Sequence, residues 1–228
     1  GTSPLFRHHP KAGLGDVGRT LYWAGPEGEK VVAPAEPVVT TTTLTPASSR
    51  VEYGDDVVLD VEVAPASGED APAGTVVVTD DRDRTVGTAT LSDGTATVRV
   101  GGVTPGERTY TASYEPTSLH EASTSTTVPV TIDRASTLTR FKARTPKDGR
   151  LRTTVRIRTA EAAGSAVGRV LVLVDGEVER TFRVRRKDEG NRAVTLRLPS
   201  GRVEVQVLYR GDDLRAPSRS GTKRVTVG

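Results

Sequence analysis

After Val38 the chain alternates apolar and polar residues in short runs, and Gly, Pro, Asp and Ser separate these runs. The alternating inward positions of one early and one later run are Val57, Leu59, Val61, Val63, and Leu151, Thr153, Val155, Ile157. Side chains on a strand point to opposite faces in turn, so this alternation predicts β-strands with one buried face. No stretch has the sustained 3.6-residue period of an amphipathic helix. The pattern predicts an all-β protein with Val61 and Ile157 in its core.

The pattern of strands occurs twice along the chain. The first copy contains the segments TLTP, VVLDVEV, PAGTVVV and GTATLSDGTATVRV, and the second contains TLTR, RTTVRIRT, AVGRVLVLV and NRAVTLRL. A unit of about 95 residues with some seven short strands is typical of an immunoglobulin-type sandwich. We expect the two copies to superpose with Tyr114 on Tyr209 and Leu59 on Val155.

Both copies resemble the bacterial Ig-like repeats that occur in tandem on secreted and cell-surface proteins. The shared features are an opening T-x-T-x-L-T strand, a P-x-G-T-V segment, a G-T-A-T-L-x-x-G-T-A-T hairpin and a closing Y-x-G-D. The first copy matches the middle part of this repeat pattern at residues 72–76 and 87–91. The second copy matches its closing Y-x-G-D at residues 209–212. The resemblance covers residues 38–228 and implies two tandem immunoglobulin-like antiparallel β-sandwich domains. Such repeats serve as spacers, stalks and adhesive modules.

We therefore divide the chain into three parts. Residues 1–36 are either the end of a preceding domain, with a strand around 20–23, or a disordered leader. Ig-like domain 1 is expected at 37–134 and Ig-like domain 2 at 135–228. The linker at 132–135 is short and lacks Gly and Pro, which favours a semi-rigid stacked rod over two freely moving domains.

The composition excludes several kinds of chemistry. The chain has no Cys, which rules out a disulfide framework, a thiolate nucleophile and a Cys-ligated metal. Hydrophobic residues make up 35% and aromatic residues 4%, which favours small Val-based cores over one large core. No apolar run approaches the roughly 20 residues that span a bilayer as a helix. We expect no cofactor, and a secreted or cell-surface location.

No group of residues indicates catalysis, and we expect no enzyme activity. The three His residues are His8 and His9 in the tail and His120 in a predicted loop, so they form no credible Ser-His-Asp set. The acidic segment 80–83 lacks the turn Gly and final Glu of a calcium-binding loop, and Arg82 would repel a cation. This segment is therefore predicted to be a solvated turn.

The two predicted domains carry opposite charge. Residues 37–134 hold 6 Lys and Arg against 15 Asp and Glu, whereas residues 135–228 hold 22 against 10. Since side chains alternate along a strand, several Arg residues of the second domain share the outer face. The candidate anion-binding residues are Arg152, Arg156, Arg158, Arg197, Arg183 and Arg185. In the first copy, Asp60 and Glu62 align with Arg156 and Arg158, which reverses the sign of the charge.

Two interpretations of the Arg residues stay open. A charged, solvated face prevents aggregation at sheet edges. Alternatively, the face binds an anionic cell-wall polymer, an acidic glycan or an acidic neighbouring domain. Nucleic acid is an unlikely partner because aromatic stacking residues are scarce and domain 1 is acidic.

Three functions fit these observations. The first is a non-catalytic structural spacer or adhesive module of an exported bacterial protein, whose partners are neighbouring domains of the same protein. The second is a polyanion-binding module that uses the Arg-rich face of domain 2. The third is a pair of accessory domains of a secreted enzyme whose catalytic domain lies upstream.

Overall fold

The computed structural model of the chain describes residues 22–24, 30–32, 36–68, 70–117, 119–145 and 150–228. Strands β1 (Tyr22–Ala24) and β2 (Lys30–Val32) pair antiparallel near the start of the chain. The later strands form two successive sandwiches, the first within 40–133 and the second within 137–227. The predicted fold, two tandem Ig-like antiparallel sandwiches, is confirmed. The domain limits 37–134 and 135–228 stay a prediction.

The first sandwich contains nine strands. They are β3 (Thr40–Pro46), β4 (Arg50–Glu52), β5 (Val57–Pro65), β6 (Gly74–Asp80), β7 (Thr85–Thr90), β8 (Thr95–Val100), β9 (Gly106–Pro116), β10 (Ser123–Thr124) and β11 (Val128–Asp133). One sheet has the order β3-β5-β8, and the other has the order β4-β11-β9-β6-β7, with β10 also pairing with β9. Neighbouring strands are antiparallel except β4 and β11, which run parallel.

The second sandwich repeats this order with eight strands. They are β12 (Thr137–Arg144), β13 (Arg150–Thr159), β14 (Gly168–Val174), β15 (Glu177–Val184), β16 (Asn191–Arg197), β17 (Gly201–Tyr209), β18 (Ser218–Arg219) and β19 (Lys223–Val227). One sheet is β12-β13-β16, and the other is β15-β14-β17-β18, with β19 also pairing with β17. In the described part of the second sandwich, no strand corresponds to β4.

Each sandwich has its own apolar core between its two sheets. Burial alternates along β5 and along β13, as the sequence pattern predicts. The predicted burial of Val61 and Ile157 is confirmed, because their exposed fractions are 2% and 3%. Val side chains dominate both cores, since a branched side chain packs well on a pleated surface.

A buried tyrosine marks the same place in both sandwiches. The Tyr114 hydroxyl donates to the carbonyl of Ala73 at 2.7 Å, and the Tyr209 hydroxyl donates to the carbonyl of Val167 at 2.6 Å. Both rings are about 1% exposed or less. The two tyrosines are therefore equivalent, as the sequence repeat predicts.

A backbone contact aligns the central strands of the two sandwiches. The Val63 amide donates to the carbonyl of Gly94 at 2.8 Å, and the Ile157 amide donates to the carbonyl of Gly190 at the same distance. Val63 is therefore the equivalent of Ile157. Counting back two residues makes Val61 the equivalent of Val155.

The predicted superposition of Leu59 on Val155 is therefore wrong by two residues. A shift of two keeps every inward side chain inward, because the side-chain period of a strand is two. The alternating pattern therefore gave the correct face but could not give the correct alignment.

The predicted hairpin around residues 87–97 is present only at its turn, where Ser92 and Thr95 exchange both backbone hydrogen bonds. The predicted pairing of its two strands with each other is wrong. Strand β7 pairs with β6, whereas β8 pairs with β5 in the opposite sheet. The segment between them crosses from one sheet to the other, and Leu91 on the crossing is only 7% exposed. The same turn residues occur in hairpins and in crossings, so the local sequence does not distinguish the two.

Candidate anion-binding face

Strand β13 separates its side chains cleanly between the core and the solvent. Leu151, Thr153, Val155 and Ile157 are buried, whereas the intervening residues are exposed. The exposed residues include three of the predicted anion-binding candidates, Arg152, Arg156 and Arg158. Arg197 at the end of the neighbouring β16 is exposed as well, and its neighbour Leu196 is buried. These four candidates lie on one face of the β12-β13-β16 sheet.

Strand β12 adds three cations that the sequence reasoning did not include. Arg140, Lys142 and Arg144 are exposed, and the buried Phe141 lies between the first two. The alternation in T-L-T-R-F-K-A-R was a usable signal for these residues. We call the outer side of β12, β13 and β16 the basic face; its cations are Arg140, Lys142, Arg144, Arg152, Arg156, Arg158 and Arg197.

The strand register brings like charges directly opposite one another. Arg140 lies opposite Arg156, and Arg144 lies opposite Arg152. Like charges in directly opposed positions destabilise a sheet. Lys142 lies between these two pairs, opposite Thr154, whose neighbour on β16 is Ala193. The centre of the basic face therefore has small side chains surrounded by cations.

No carboxylate compensates this charge on the face itself. Strands β12, β13 and β16 contain no Asp or Glu. Among the ion pairs of the described residues, Arg192 of β16 pairs with Asp188 on the inward side of the sheet, and Arg215 with Asp212 and Arg224 with Glu204 lie on other strands and loops. The basic face is therefore a single-sign surface, and the sheet itself holds no group that neutralises it.

The expectation that Arg183 and Arg185 extend this face is wrong. Strand β15 pairs with β14 in the opposite sheet, where Arg183 lies across from Arg169. Arg185 follows the end of β15, where its amide donates to the Asp188 carboxylate at 2.7 Å. Phe182 and Val184 do pack toward the core. The predicted alternation along this strand is therefore correct, whereas the sheet to which the strand was assigned is wrong.

The corresponding face of the first sandwich is not basic. With Val61 equivalent to Val155, Glu62 corresponds to Arg156 and Asp60 corresponds to Thr154, so the earlier alignment of these carboxylates is shifted by two. Asp60 accepts a hydrogen bond from the Thr97 hydroxyl at 2.8 Å. The reversal of charge therefore holds for Glu62 and not for Asp60.

A shallow groove borders the basic face between the edges of β12 and β19. Its volume is about 500 Å³, and residues 142–145 and 223–226 line it. Lys223 donates from Nζ to the carbonyl of Phe141 at 3.1 Å and lies 5.2 Å from the centre of that ring. Cations from both strands therefore continue the positive surface around the edge of the sheet.

The acidic segment 80–83 is the turn between β6 and β7. Asp80 Oδ1 accepts from the amides of Arg82 and Arg84 at 3.0 and 3.1 Å, and Oδ2 accepts from Arg84 Nε at 3.0 Å. The Asp80 carboxylate is thus used to hold the turn together. Within the described ranges, no group of three or more His, Asp or Glu side chains could hold a metal ion.

Replacing Asp80 with asparagine is expected to destabilise the protein near pH 7 but not near pH 2. Hydrogen bonding from the Arg84 side chain, helped by the amides of Arg82 and Arg84, lowers the pKa of the Asp80 carboxyl to about 2. The charged form stabilises the fold above the ordinary pKa near 4, and this contribution is lost as the pH falls toward 2. Urea unfolding at both pH values measures the difference.

The matched control for this prediction is Asp81→Asn, which changes an exposed carboxylate in the same turn. It should alter the free energy of unfolding much less than Asp80→Asn near pH 7. Equal effects of the two substitutions, or an Asp80 effect that persists near pH 2, would contradict the role of Asp80.

The remaining histidine predictions have separate outcomes. His120, which the sequence places in a loop, is buried with an exposed fraction of 7%. Its backbone forms a parallel bridge with Val38. His8 and His9 lie outside the described residues. The described segments contain no helix long and apolar enough to cross a membrane.

A family comparison identifies the first sandwich. Residues 42–133 match the model of the bacterial Ig-like domain (group 3). The match begins in β3 and ends at the last residue of β11. No curated protein sequence matches the chain.

Several solved structures resemble the chain at low sequence identity. A biofilm-associated protein domain has a TM-score of 0.30 at 19% identity, over 82% of this chain and 30% of that chain. The Yersinia pseudotuberculosis adhesin InvE has a TM-score of 0.35 at 16% identity, over 82% and 58%. A two-domain fibronectin type III segment of chicken tenascin has a TM-score of 0.45 at 14% identity, over 80% and 97%. The chain thus spans less than a third of the biofilm-associated protein chain.

Ig-like domains are generally non-catalytic modules, and their functions are carried by surfaces and by their arrangement in series. The order of the strands in both sandwiches agrees with the family match to the first of them. Residues 42–133 are therefore similar to bacterial Ig-like domains of group 3, and a second sandwich with the same strand order follows them.

Proposed function

We propose that this chain is a non-catalytic spacer or adhesive module of an exported bacterial protein, in which two Ig-like sandwiches form one semi-rigid unit. The observation that carries this proposal is the junction between the sandwiches. The family match supports the bacterial Ig-like part of the proposal.

The connection between the two sandwiches is one residue long. Strand β11 ends at Asp133, and the backbone of Ala135 already belongs to the second sandwich. The Ala135 amide donates to the carbonyl of Leu214 at 3.0 Å, and its carbonyl accepts from the Ala216 amide at 2.9 Å. Only Arg134 lies between these two anchored residues. So short a connection restricts the relative rotation of the sandwiches.

A carboxylate of the first sandwich bridges the junction. Glu52, at the end of β4, accepts from the Ser136 amide at 2.9 Å and from the Ser136 hydroxyl at 2.7 Å. The backbone hydrogen bond from Ser136, followed by that of its side chain, lowers the pKa of the Glu52 carboxyl. Strand β4 therefore carries the residue of the first sandwich that contacts the second. The described part of the second sandwich has no strand that corresponds to β4.

The backbone of the next loop also touches the second sandwich. Gly54 has a φ of +107°, and a Cβ atom placed on it would lie 2.8 Å from the Ala163 amide nitrogen. Only glycine fits this backbone conformation and this close approach without strain. Backbone packing, the Glu52 hydrogen bonds and the short connection together support a fixed orientation of the two sandwiches.

Spin labels on the two sandwiches are expected to give one narrow distance distribution. The chain has no Cys, so labels can be attached at Thr43→Cys and Thr195→Cys, two exposed strand positions. Substituting Glu52 with alanine should broaden the distribution, because it removes both hydrogen bonds to Ser136. Double electron–electron resonance measures the width.

The positive control is a Gly-Ser insertion between Arg134 and Ala135, which lengthens the connection and should broaden the distribution further. The negative control is Asp81→Asn, which changes an exposed carboxylate in the turn between β6 and β7 of the first sandwich. A broad distribution in the unsubstituted chain would contradict the semi-rigid spacer.

A second candidate function is polyanion binding. The observation that favours it is the basic face, with cations directly opposed on β12 and β13 and with no carboxylate on these strands. A spacer does not need such a face. A bound anion would reduce the electrostatic repulsion between the opposed cations. The two functions are compatible, because a spacer that binds a surface polymer is an adhesive module.

A further inference from the structure

We propose that the basic face binds a linear phosphodiester polymer that lies along β12 and β13, with phosphates seated between the opposed arginines. This inference rests on the polyanion-binding function proposed above and adds the chemistry and direction of the ligand. The pairs Arg140–Arg156 and Arg144–Arg152 form the two ends of the site. Lys142 and Thr154 lie between them.

The cations form two parallel columns. One column follows β12 through Arg144, Lys142 and Arg140, and the other follows β13. Alternate residues on one face of a strand repeat about every 6.8 Å, and neighbouring strands lie about 4.8 Å apart. A linear anion that runs along the strands therefore meets a cation at each outward position of β12 from Arg144 to Arg140. On β13 it meets Arg152 and Arg156 on either side of Thr154. An anion that crosses the three strands meets two cations at most in these rows: Arg140 and Arg156 are followed by Asn191, and Lys142 is followed by Thr154 and Ala193.

The opposed arginines favour phosphate as the anionic group. Each guanidinium offers a planar set of N–H donors that matches two phosphate oxygens. A phosphate between two opposed guanidiniums replaces a like-charge contact with two attractive contacts. A strongly hydrated lysine pair would bind less specifically, and Lys142 is the one lysine among the central cations.

The centre of the face gives an approach for the ligand. Thr154 is exposed and short, and its neighbours across the sheet are Lys142 and Ala193. The longer side chains of Arg152 and Arg156 flank it on the same strand face. The result is a shallow seat with a hydroxyl donor at its base and cations around it.

The chemistry of the face argues against other polyanions. The outward positions of β12, β13 and β16 hold no aromatic residue, so nucleic acid bases find no stacking surface. The groove that borders the face lies at its β12 edge, and its centre offers the shallow seat at Thr154 rather than the deep concave pocket that usually encloses a small ligand. The corresponding face of the first sandwich offers Asp60 and Glu62 together with Arg99, which is too few carboxylates to match the basic face.

The charge spacing agrees with a simple phosphodiester backbone. A chain in which three-carbon units join successive phosphates repeats over a distance close to that of alternate residues on a strand. Such a polymer carries no base and no ring, so it needs only the features that the basic face has. The ligand class is therefore a polyol phosphate chain.

The test uses the full chain and a fluorescein-labelled synthetic glycerol phosphate oligomer, with binding followed by fluorescence anisotropy. If about four phosphates are contacted, a tenfold increase in salt should weaken binding about 10³-fold or slightly more. The Arg140→Glu, Arg156→Glu double variant should weaken binding by about tenfold or more, because two attractive contacts become repulsive. It should also lower the salt slope by about 2.

The matched control is the Arg169→Glu, Arg183→Glu double variant. It also replaces an exposed, cross-strand arginine pair and changes the net charge by the same amount, but it lies on the opposite sheet. The affinity should stay within about twofold of the unsubstituted chain, since the sheets are separated by about the Debye length. Circular dichroism melting verifies that both variants fold. Equal losses in the two variants would overturn the assigned location.

Three comparison measurements separate this inference from the function on which it rests. If neither the oligomer nor a sulfated glycan binds at low salt, the polyanion-binding function itself fails. If a single-stranded oligonucleotide or the glycan binds more tightly than the oligomer, polyanion binding stands but the polyol phosphate assignment is overturned. If the chain self-associates in sedimentation and Arg140→Glu, Arg156→Glu abolishes this, the partner is a second copy and the assignment is again overturned. Tighter binding of the glycerol phosphate oligomer, lost in the double variant alone, supports it.

Discussion

Truncating Ile157 to alanine is expected to lower the free energy of unfolding by about 2–5 kcal/mol, because the side chain is buried and the packed core fills the cavity only in part. Ile157 is 3% exposed in β13 and belongs to the core of the second sandwich. Its amide bonds to Gly190, so the backbone cannot move far to close the gap. Urea unfolding of the full chain measures the loss, and hydrogen exchange assigns it to the second sandwich.

The neighbouring residue gives the control for this prediction. Arg158 is next along the strand and lies on the solvent face. Arg158→Ala should change the free energy of unfolding by no more than about 0.5 kcal/mol, as exposed substitutions usually do. A larger loss for Arg158 than for Ile157 would mean that the faces of β13 are reversed.

The two faces of β13 could be predicted from the sequence because outward charged and inward apolar residues alternate along most of it, and only Thr153 and Thr154 interrupt the pattern at its centre. The same holds for β5, where Val57, Leu59, Val61 and Val63 are all buried. This information is local, since it depends only on the period of one strand. The assignment of buried and exposed faces therefore stays correct even when the alignment of the two repeats is wrong by two residues.

The membership of a strand in a sheet is not local, and the sequence reasoning failed there. Strand β15 has the right alternation, yet its partner β14 places Arg183 on the opposite sheet from Arg156. The crossing from β7 to β8 was mistaken for a hairpin for the same reason. Strand pairing depends on the packing of the whole sandwich, which no single strand encodes.

The candidate site was predicted in part for a related reason. Arg152, Arg156 and Arg158 share one strand, so a strand pattern was sufficient to group them. The opposed pairs with Arg140 and Arg144 depend on the register between β12 and β13. Register is set by side-chain contacts and turn geometry across the sheet, and the sequence of one strand does not contain it.

The closing Tyr-Arg-Gly-Asp motif of the second sandwich has a physical basis in a buried ion pair. Asp212 Oδ1 accepts from the amides of Leu214 and Arg215 at 2.9 and 2.8 Å, and Oδ2 lies 3.1 Å from Arg215 Nη1. Arg215 is only 7% exposed and donates also to the carbonyls of Ala163 and Gly164. The carboxylate therefore organises the turn and neutralises a guanidinium that water barely reaches.

The glycine of the motif is required by the backbone. Gly211 has a φ of +78°, and a Cβ atom there would lie 2.6 Å from the carbonyl oxygen of Arg215. In the first sandwich the residue at this point after Tyr114 is Pro116, and His120 takes the bridging position that Arg215 occupies in the second. The first sandwich therefore lacks the glycine, the carboxylate and the buried arginine together, which agrees with their acting as one unit in the second.

Replacing Asp212 with alanine is expected to lower the free energy of unfolding by about 3–5 kcal/mol, because the Arg215 guanidinium then stays buried without its counter-ion. Burial, with the Asp212 charge as the next contribution, raises the pKa of the Tyr209 phenol above its ordinary value, so the substitution should also lower that pKa. Urea unfolding of the full chain measures the stability, and ultraviolet titration of tyrosine measures the pKa.

Two variants decide whether the unpaired charge causes the loss. Asp213→Ala removes the adjacent exposed carboxylate and should have an effect near zero. Adding Arg215→Met to Asp212→Ala should recover part of the lost stability, because an apolar side chain carries no buried charge. If the double variant is no more stable than Asp212→Ala, the loss comes from the two amide hydrogen bonds of the turn, and the ion pair contributes little.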